Sequence, residues 1–244
     1  NSRAGFMITD RRFSEGGYGT VFSVDADVRL SRTYSCVGQF VSSLTGEPDA
    51  PGSTAPYAGM TFDQGRRTVV FDGETFSGNA FIAQLRRSGR HLTFVLNADQ
   101  VEPAYRTETG YDPWNDYRNA LATAQYTVTS DRSLFERGTI GITADRRWNF
   151  DDEIKWTHGN VGLGASLRFW QTYAQVNYTV GRERWGGRDF DGLWTLQLQS
   201  GSQISDALGF DYFISRGRGV ALWVPALGNE VNGAFEVSLK PFDR

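Results

Sequence analysis

The sequence has few of the residues that build metal centres and disulfides. Its 244 residues include one cysteine, two histidines and seven prolines. A single cysteine, Cys36, excludes an internal disulfide, and its place in a strand pattern indicates a small buried or lipid-facing residue rather than a nucleophile. His91 and His158 are too few for a multi-histidine metal site. We therefore expect no metal and no cofactor.

Long apolar runs and an excess of one charge are also missing. No run approaches the roughly 20 apolar residues of a membrane-spanning helix, which excludes a helical membrane protein but not a β-barrel with a polar interior. The 25 Lys and Arg residues nearly balance 28 Asp and Glu residues. Without a basic excess we expect no nucleic-acid partner. The P-loop, HExxH, CxxC and GxSxG motifs are absent as well.

Glycine and aromatic residues are plentiful, as is typical of strands joined by tight turns. Residues 18–30 (YGTVFSVDADVRL) alternate strictly, with Phe22 and Val24 on an apolar face and Asp25, Asp27 and Arg29 on the other. Side chains alternate across a strand. Such a strand fits a soluble sheet with one dry side, or a membrane barrel with lipid outside and water inside.

The same alternation recurs along the chain and predicts about twelve strands, many of ten residues or more. Short turns such as Ser88-Gly89 separate some of them. Two longer segments, residues 45–57 and 102–116, are interpreted as exposed loops. No helical period is found. The predicted fold is all-β, an antiparallel transmembrane β-barrel of about 12 strands, with a soluble β-sandwich or barrel as the alternative.

Strand length favours the membrane, because soluble strands usually have five or six residues whereas about ten tilted residues cross a bilayer. Aromatic residues near strand ends also suggest interfacial girdles, although aromatic side chains pack in any β core. The girdle candidates are Tyr18, Tyr126, Trp148, Phe169, Trp170, Trp185 and Trp194. We predict a single barrel domain over residues 1–244. Its abrupt start in a strand pattern at Asn1, rather than Met, favours a piece of a longer chain.

In a barrel, the charged residues of the polar faces would line the lumen. These candidates are Asp25, Asp27, Arg29, Asp99, Asp145, Arg147, Arg168, Glu236 and Lys240. Both signs are present, so the lumen is either a weakly selective polar channel or a network of charges that fills and stiffens a narrow barrel.

Several short segments resemble the C-terminal region of the DUF5916 family of bacterial envelope proteins. They are residues 4–11 (AGFMITDR), 24–27 (VDAD), 38–39 (GQ) with Ser42, 78–80 (GNA), 103–111 (PAYRTETGY) and 116–118 (DYR). The resemblance implies an outer-membrane β-barrel and a link to carbohydrate or other polymers at the cell surface. It implies no catalytic residues.

The leading hypothesis is therefore a bacterial outer-membrane barrel that acts as a passive pore or as the membrane anchor of a surface protein or complex. Its partners would be outer-membrane lipid, with other envelope proteins or surface carbohydrate. The competing hypothesis is a soluble all-β carbohydrate-binding module, with Trp114 and Trp185 as stacking platforms.

Enzyme hypotheses have weaker support, and no catalytic residue is predicted. Some outer-membrane barrels are phospholipases with a Ser–His–Asn site, and His158 lies near Asn160 and Ser166 in sequence, but the spacing does not resemble the motif of those enzymes. The carboxylates of residues 151–153 and Glu183 could pair for glycoside hydrolysis. Carboxylates in turns are more often simply solvated.

Overall fold

A computed structural model describes residues 2–14, 16–107, 114–132, 134–221 and 223–240. This part of the chain is all-β, with two short 3-10 turns at Pro51–Tyr57 and Phe169–Gln171. The strands are β1 (Arg3–Arg12), β2 (Tyr18–Arg29), β3 (Tyr34–Gly46), β4 (Thr61–Phe62), β5 (Arg67–Thr68), β6 (Thr75–Ser88), β7 (Leu92–Val101), β8 (Tyr117–Thr129), β9 (Phe135–Trp148), β10 (Ile154–Leu167), β11 (Tyr173–Trp185), β12 (Arg188–Ser205), β13 (Leu208–Ala221) and β14 (Ala226–Leu239).

Twelve of these strands form one antiparallel sheet, in the order β1-β2-β3-β6-β7-β8-β9-β10-β11-β12-β13-β14. The short strands β4 and β5 pair only with each other, inside the connection between β3 and β6. The twelve strands are 10 to 18 residues long. Every strand of the large sheet therefore lies beside its successor, as in a series of hairpins. The prediction of an all-β chain with about twelve antiparallel strands is confirmed.

The chain divides into two compact units. The first unit comprises residues 1–86, 96–120 and 147–153, and the second comprises residues 87–95, 121–146 and 154–244. Both long connections, between β3 and β6 and between β7 and β8, belong to the first unit. In the part of the chain that the structure describes, no helix is long and apolar enough to span a membrane.

The core of the first unit lies on one face of β2, β3 and β6. Val21 and Ser23 of β2 and Ser43 and Thr45 of β3 are buried there. They alternate with Phe22, Val24 and Leu44, which are exposed on the opposite face. The more polar face is therefore the covered one, which reverses the usual arrangement of a soluble sheet.

The interpretation of residues 45–57 as an exposed loop is wrong at its start. β3 continues to Gly46, and residues 45–48 are buried, including Glu47. Proline and glycine in this segment indicate a loop. They do not indicate what packs on the loop, because the contacts come from residues far along the chain.

Candidate functional site

The strands of the second unit carry a continuous row of exposed apolar side chains. Leu163, Val176, Leu198 and Ile214 are direct neighbours across β10, β11, β12 and β13. Their side chains are between 37% and 53% exposed. Burying apolar surface is the main favourable term in folding. This row leaves apolar surface that the described residues of the chain do not cover.

One residue away on the same strands, the opposite face is polar, and the row that matches the apolar one carries no charge. Gly162, Asn177, Gln197 and Ser215 form its matching row. We call this surface the polar face of the second unit. A cavity of about 250 Å³ lies beside it, and eleven of its sixteen lining residues are threonine, asparagine, glutamine or glycine, while five, including Leu163, are apolar.

Hydrogen bonds between side chains organise this polar face. The Asn160 amide donates to Thr179 Oγ1 at 2.8 Å, and the Gln175 amide donates to Asn177 Oδ1 at 3.2 Å. Neutral amides and hydroxyls are satisfied equally by one another and by water. The face is therefore suited to a wet environment.

In the first unit, the corresponding face is covered by the start of the β7–β8 connection. Ser43 Oγ accepts a hydrogen bond from the Arg106 backbone N–H at 3.1 Å and donates one to the Gly78 carbonyl at 3.2 Å. A Cβ atom added at Gly78 would overlap backbone atoms of Ala104 and Tyr105. Glycine is required because another backbone crosses directly over the strand. Residues 103–106 thus fill the space above β3 and β6.

A buried ion pair lies beside this crossing. The Glu47 carboxylate is only 1% exposed, and its Oε1 accepts a hydrogen bond from Arg106 Nη1 at 2.7 Å. Burial raises the pKa of Glu47, Arg106 lowers it, and the nearby Asp72 and Glu74 carboxylates raise it further. The net direction is upward, so the site holds an ionised carboxylate less easily than water does.

The nine predicted lumen residues have different surroundings. Asp27 is paired with Arg3 at 3.2 Å, near the start of the chain. Asp99 accepts hydrogen bonds from Asn97 and Asn119. All three contacts lie within the first unit.

Other members of the set stabilise turns rather than strand faces. The Arg29 guanidinium donates to the carbonyls of Ser31 and Arg32 in the β2–β3 turn. Arg168 donates to the Ser130 carbonyl at 2.5 Å. Lys240 lies beyond the end of β14, where its backbone N–H donates to the Ala207 carbonyl.

The remaining four of the nine also lie on strands. Asp25 is exposed opposite Gln39, and Arg147 lies over the Tyr117 ring at 4.4 Å. Asp145 accepts a hydrogen bond from Trp156 Nε1 at 2.6 Å. Glu236 is exposed directly opposite Asp211. A lumen role for the nine stays a prediction.

Five of the seven girdle candidates lie at strand ends or in a turn. Tyr18 begins β2, Trp148 ends β9 and Trp185 ends β11. The rings of Phe169 and Trp170 stack in the 3-10 turn after β10, with centroids 3.9 Å apart. The remaining two candidates, Tyr126 and Trp194, lie inside β8 and β12.

The residues of the hydrolase hypotheses have other partners. His158 Nε2 lies 3.0 Å from Glu183 Oε1, and Asn160 bonds to Thr179. Asp151 and Asp152 bond to Gln64 and Arg118 in the first unit. Trp114 and Trp185, the proposed sugar platforms, are exposed. Among the described residues, no group of three or more His, Cys, Asp or Glu side chains could hold a metal ion.

Sequence reasoning missed Glu47 and Arg106 as site residues. Both lie in segments interpreted as loops, and they are 59 residues apart in the sequence. The only local signal is that Arg106 lies within the PAYRTETGY segment of the family resemblance. Residues 108–111 of that segment lie outside the described residues.

Comparisons of the chain with protein-family models, with curated proteins and with solved structures find no match. The evidence for function therefore comes from the two faces of the strands and from the buried Glu47–Arg106 pair of the first unit.

Proposed function

We propose that the twelve long strands close into a transmembrane β-barrel of a bacterial outer membrane, which anchors a cell-surface protein or complex. The observation that carries this proposal is the exposed apolar row Leu163, Val176, Leu198 and Ile214, which is matched by a polar, hydrogen-bonded face one residue away. Lipid outside and water inside would satisfy both faces at once.

A soluble sheet would have to cover the apolar row. Exposed apolar surface forfeits about 25 cal/mol per Å² relative to buried surface, and soluble sheets normally bury their apolar face against another layer. In lipid the same side chains need no second layer. Strands of 10 to 18 residues are also long enough to cross the bilayer.

Barrel closure follows from the same proposal. β1 and β14 end the strand order, and their residues are exposed almost throughout. An unpaired sheet edge in lipid costs several kcal/mol for each backbone group. These two strands would therefore pair with each other, or with further strands.

Outer-membrane barrels have short turns at one end and longer loops at the other. Within the first unit, β3 and β7 flank β6 and run in the same direction. The two long connections that follow them therefore leave from the same end. The resemblance to DUF5916 proteins points to the same compartment, and outer-membrane lipid, envelope proteins and surface carbohydrate remain the proposed partners.

An anchor is favoured over an open pore because residues 103–106 cover the inner face of the first unit at Ser43 and Gly78. A passive pore is the second candidate. It is favoured by the neutral polar row of the second unit and by the cavity of about 250 Å³ beside it.

Two measurements test the proposal in sequence. The purified chain should need detergent or lipid to remain monodisperse, and stable monodisperse protein in plain buffer would contradict the barrel. Reconstituted into planar bilayers, an anchor should give no steady conductance. Reproducible single-channel steps would instead establish the pore.

A further inference from the structure

A cavity in the first unit has five aromatic residues among the eleven that line it. Its volume is about 420 Å³, within the range of roughly 300–1,000 Å³ typical of small-ligand sites. It lies between the β3–β6 connection and residues 103–106. The aromatic lining residues are Tyr57, Phe62, Phe71, Phe76 and Tyr105. Neither a barrel nor an anchor requires such a cavity.

Two rings of this aromatic cavity already contact the guanidinium groups of arginine side chains. Arg106 lies over the Phe71 ring, with its guanidinium carbon 5.2 Å from the centroid, and Arg67 lies over Phe76 at 5.7 Å. Phe62 packs edge-on against Phe76, with centroids 5.5 Å apart. The negative face of an aromatic ring attracts positive charge, most strongly where water is excluded.

A buried carboxylate with spare acceptor capacity lines the same cavity. Glu47 Oε1 is bonded to Arg106, but Oε2 is buried and has no hydrogen-bond partner among the described residues. Glu74 Oε2 is likewise buried and has no hydrogen-bond partner among the described residues. An unpaired buried acceptor costs about 1–3 kcal/mol, and more when it is charged. A ligand that brings a positive charge would recover part of this cost.

The local charge balance also favours a cation. The Asp72 and Glu74 carboxylates are close enough to Glu47 to raise its pKa. Against these three acidic groups stand the guanidiniums of Arg106 and Arg67. A neutral sugar would use the aromatic rings but would leave the acidic excess unbalanced, and an anion would add to it.

We propose that the aromatic cavity binds a small organic ammonium cation, with aromatic rings around its alkyl groups and its charge near Glu47. Choline is a suitable probe because its neutral isostere, 3,3-dimethylbutan-1-ol, has the same shape with carbon in place of nitrogen. The difference between the two ligands isolates the charge.

Isothermal titration calorimetry on the full chain in detergent micelles tests the proposal. Choline should bind at least about tenfold more tightly than the isostere, as a desolvated cation–aromatic contact predicts. Equal affinities, glucose binding in place of choline, or no choline binding by folded protein would overturn it.

Variants locate the binding in this cavity. Glu47→Gln keeps the shape but removes the charge, and it should weaken choline binding about tenfold. Because Glu47 is buried, a second variant protects the test against misfolding: Tyr57→Leu, at a side chain that is 51% exposed, should weaken binding about threefold or more. Glu230→Gln, at an exposed residue of β14 in the second unit, is the matched control and should leave affinity unchanged.

Far-UV circular dichroism and the melting temperature confirm that each variant is folded. Unchanged affinity in both folded cavity variants would overturn the proposal. The cavity lies wholly in the first unit, so loss of choline binding and failure of the detergent and conductance tests are separate results.

Discussion

The two units share one strand pattern but differ in what lies against its polar face. In the first unit, residues 103–106 pack directly on Ser43 and Gly78. In the second unit, the equivalent face carries a cavity of its own, lined mostly by amides, hydroxyls and glycines. Strand parity sets which face is polar. The length of the connections decides whether that face is covered, since fifteen residues separate β7 from β8 and at most five separate strands of the second unit.

The largest effect should come from a charge on the apolar row of the second unit. In lipid vesicles, Leu198→Arg should lower the free energy of unfolding by about 2–4 kcal/mol, the cost of arginine on the lipid face of a barrel near the bilayer midplane. Gln197→Arg, the next residue and on the polar face, should cost much less. Urea titrations followed by tryptophan fluorescence measure both. Equal losses would contradict the assignment of the two faces.

The next effect concerns the covered face of the first unit. Gly78→Ala places a methyl group against the backbone of Ala104 and Tyr105. Overpacking of this kind costs about 1–3 kcal/mol. The control is Gly228→Ala on β14, where an added Cβ has no neighbour within 4 Å. If both variants unfold at the same denaturant concentration, residues 103–106 do not pack on β6.

A smaller effect is expected from removing the Ser43 hydroxyl, which joins residues 103–106 to the sheet. Ser43→Ala removes both the donor to Gly78 and the acceptor for Arg106, so it should cost about 1–2 kcal/mol. Ser200→Ala in the second unit removes one donor, to the Tyr173 carbonyl, and should cost less. Differential scanning calorimetry provides the comparison. A larger loss for Ser200→Ala would reverse the ranking of the two faces.

The smallest effect is a pH dependence that originates at Glu47. Its pKa is raised in the folded protein, chiefly by burial. From the ordinary carboxyl pKa up to the raised value, the folded state keeps a proton that the unfolded state has lost, so the free energy of unfolding falls as pH rises. Relative to Glu47→Gln, the wild-type protein should therefore lose stability through this window. If the pH–stability curves of the wild-type protein and Glu47→Gln run parallel, the raised pKa of Glu47 is contradicted.

Alternation alone predicted most of the fold, because its period is local. Residues 18–30 were assigned as one strand, and β2 is Tyr18–Arg29. The pair β4–β5 was missed because two-residue strands are too short for a period to appear. The Glu47–Arg106 pair and the aromatic cavity could not be found either. They depend on where two loops return to the sheet, which local patterning does not encode.

The most direct test of the central claim is the environment of each face in a lipid bilayer. Spin labels can be placed one at a time at Leu163, Val176, Leu198, Asn177 and Gln197 in a Cys36→Ser background, with oxygen and a nickel chelate as relaxing agents. If the apolar row faces lipid, oxygen relaxation should be strong and nickel relaxation weak at Leu163, Val176 and Leu198, and the reverse should hold at Asn177 and Gln197. Nickel access to all five positions would contradict it, because the apolar row would then lie in water.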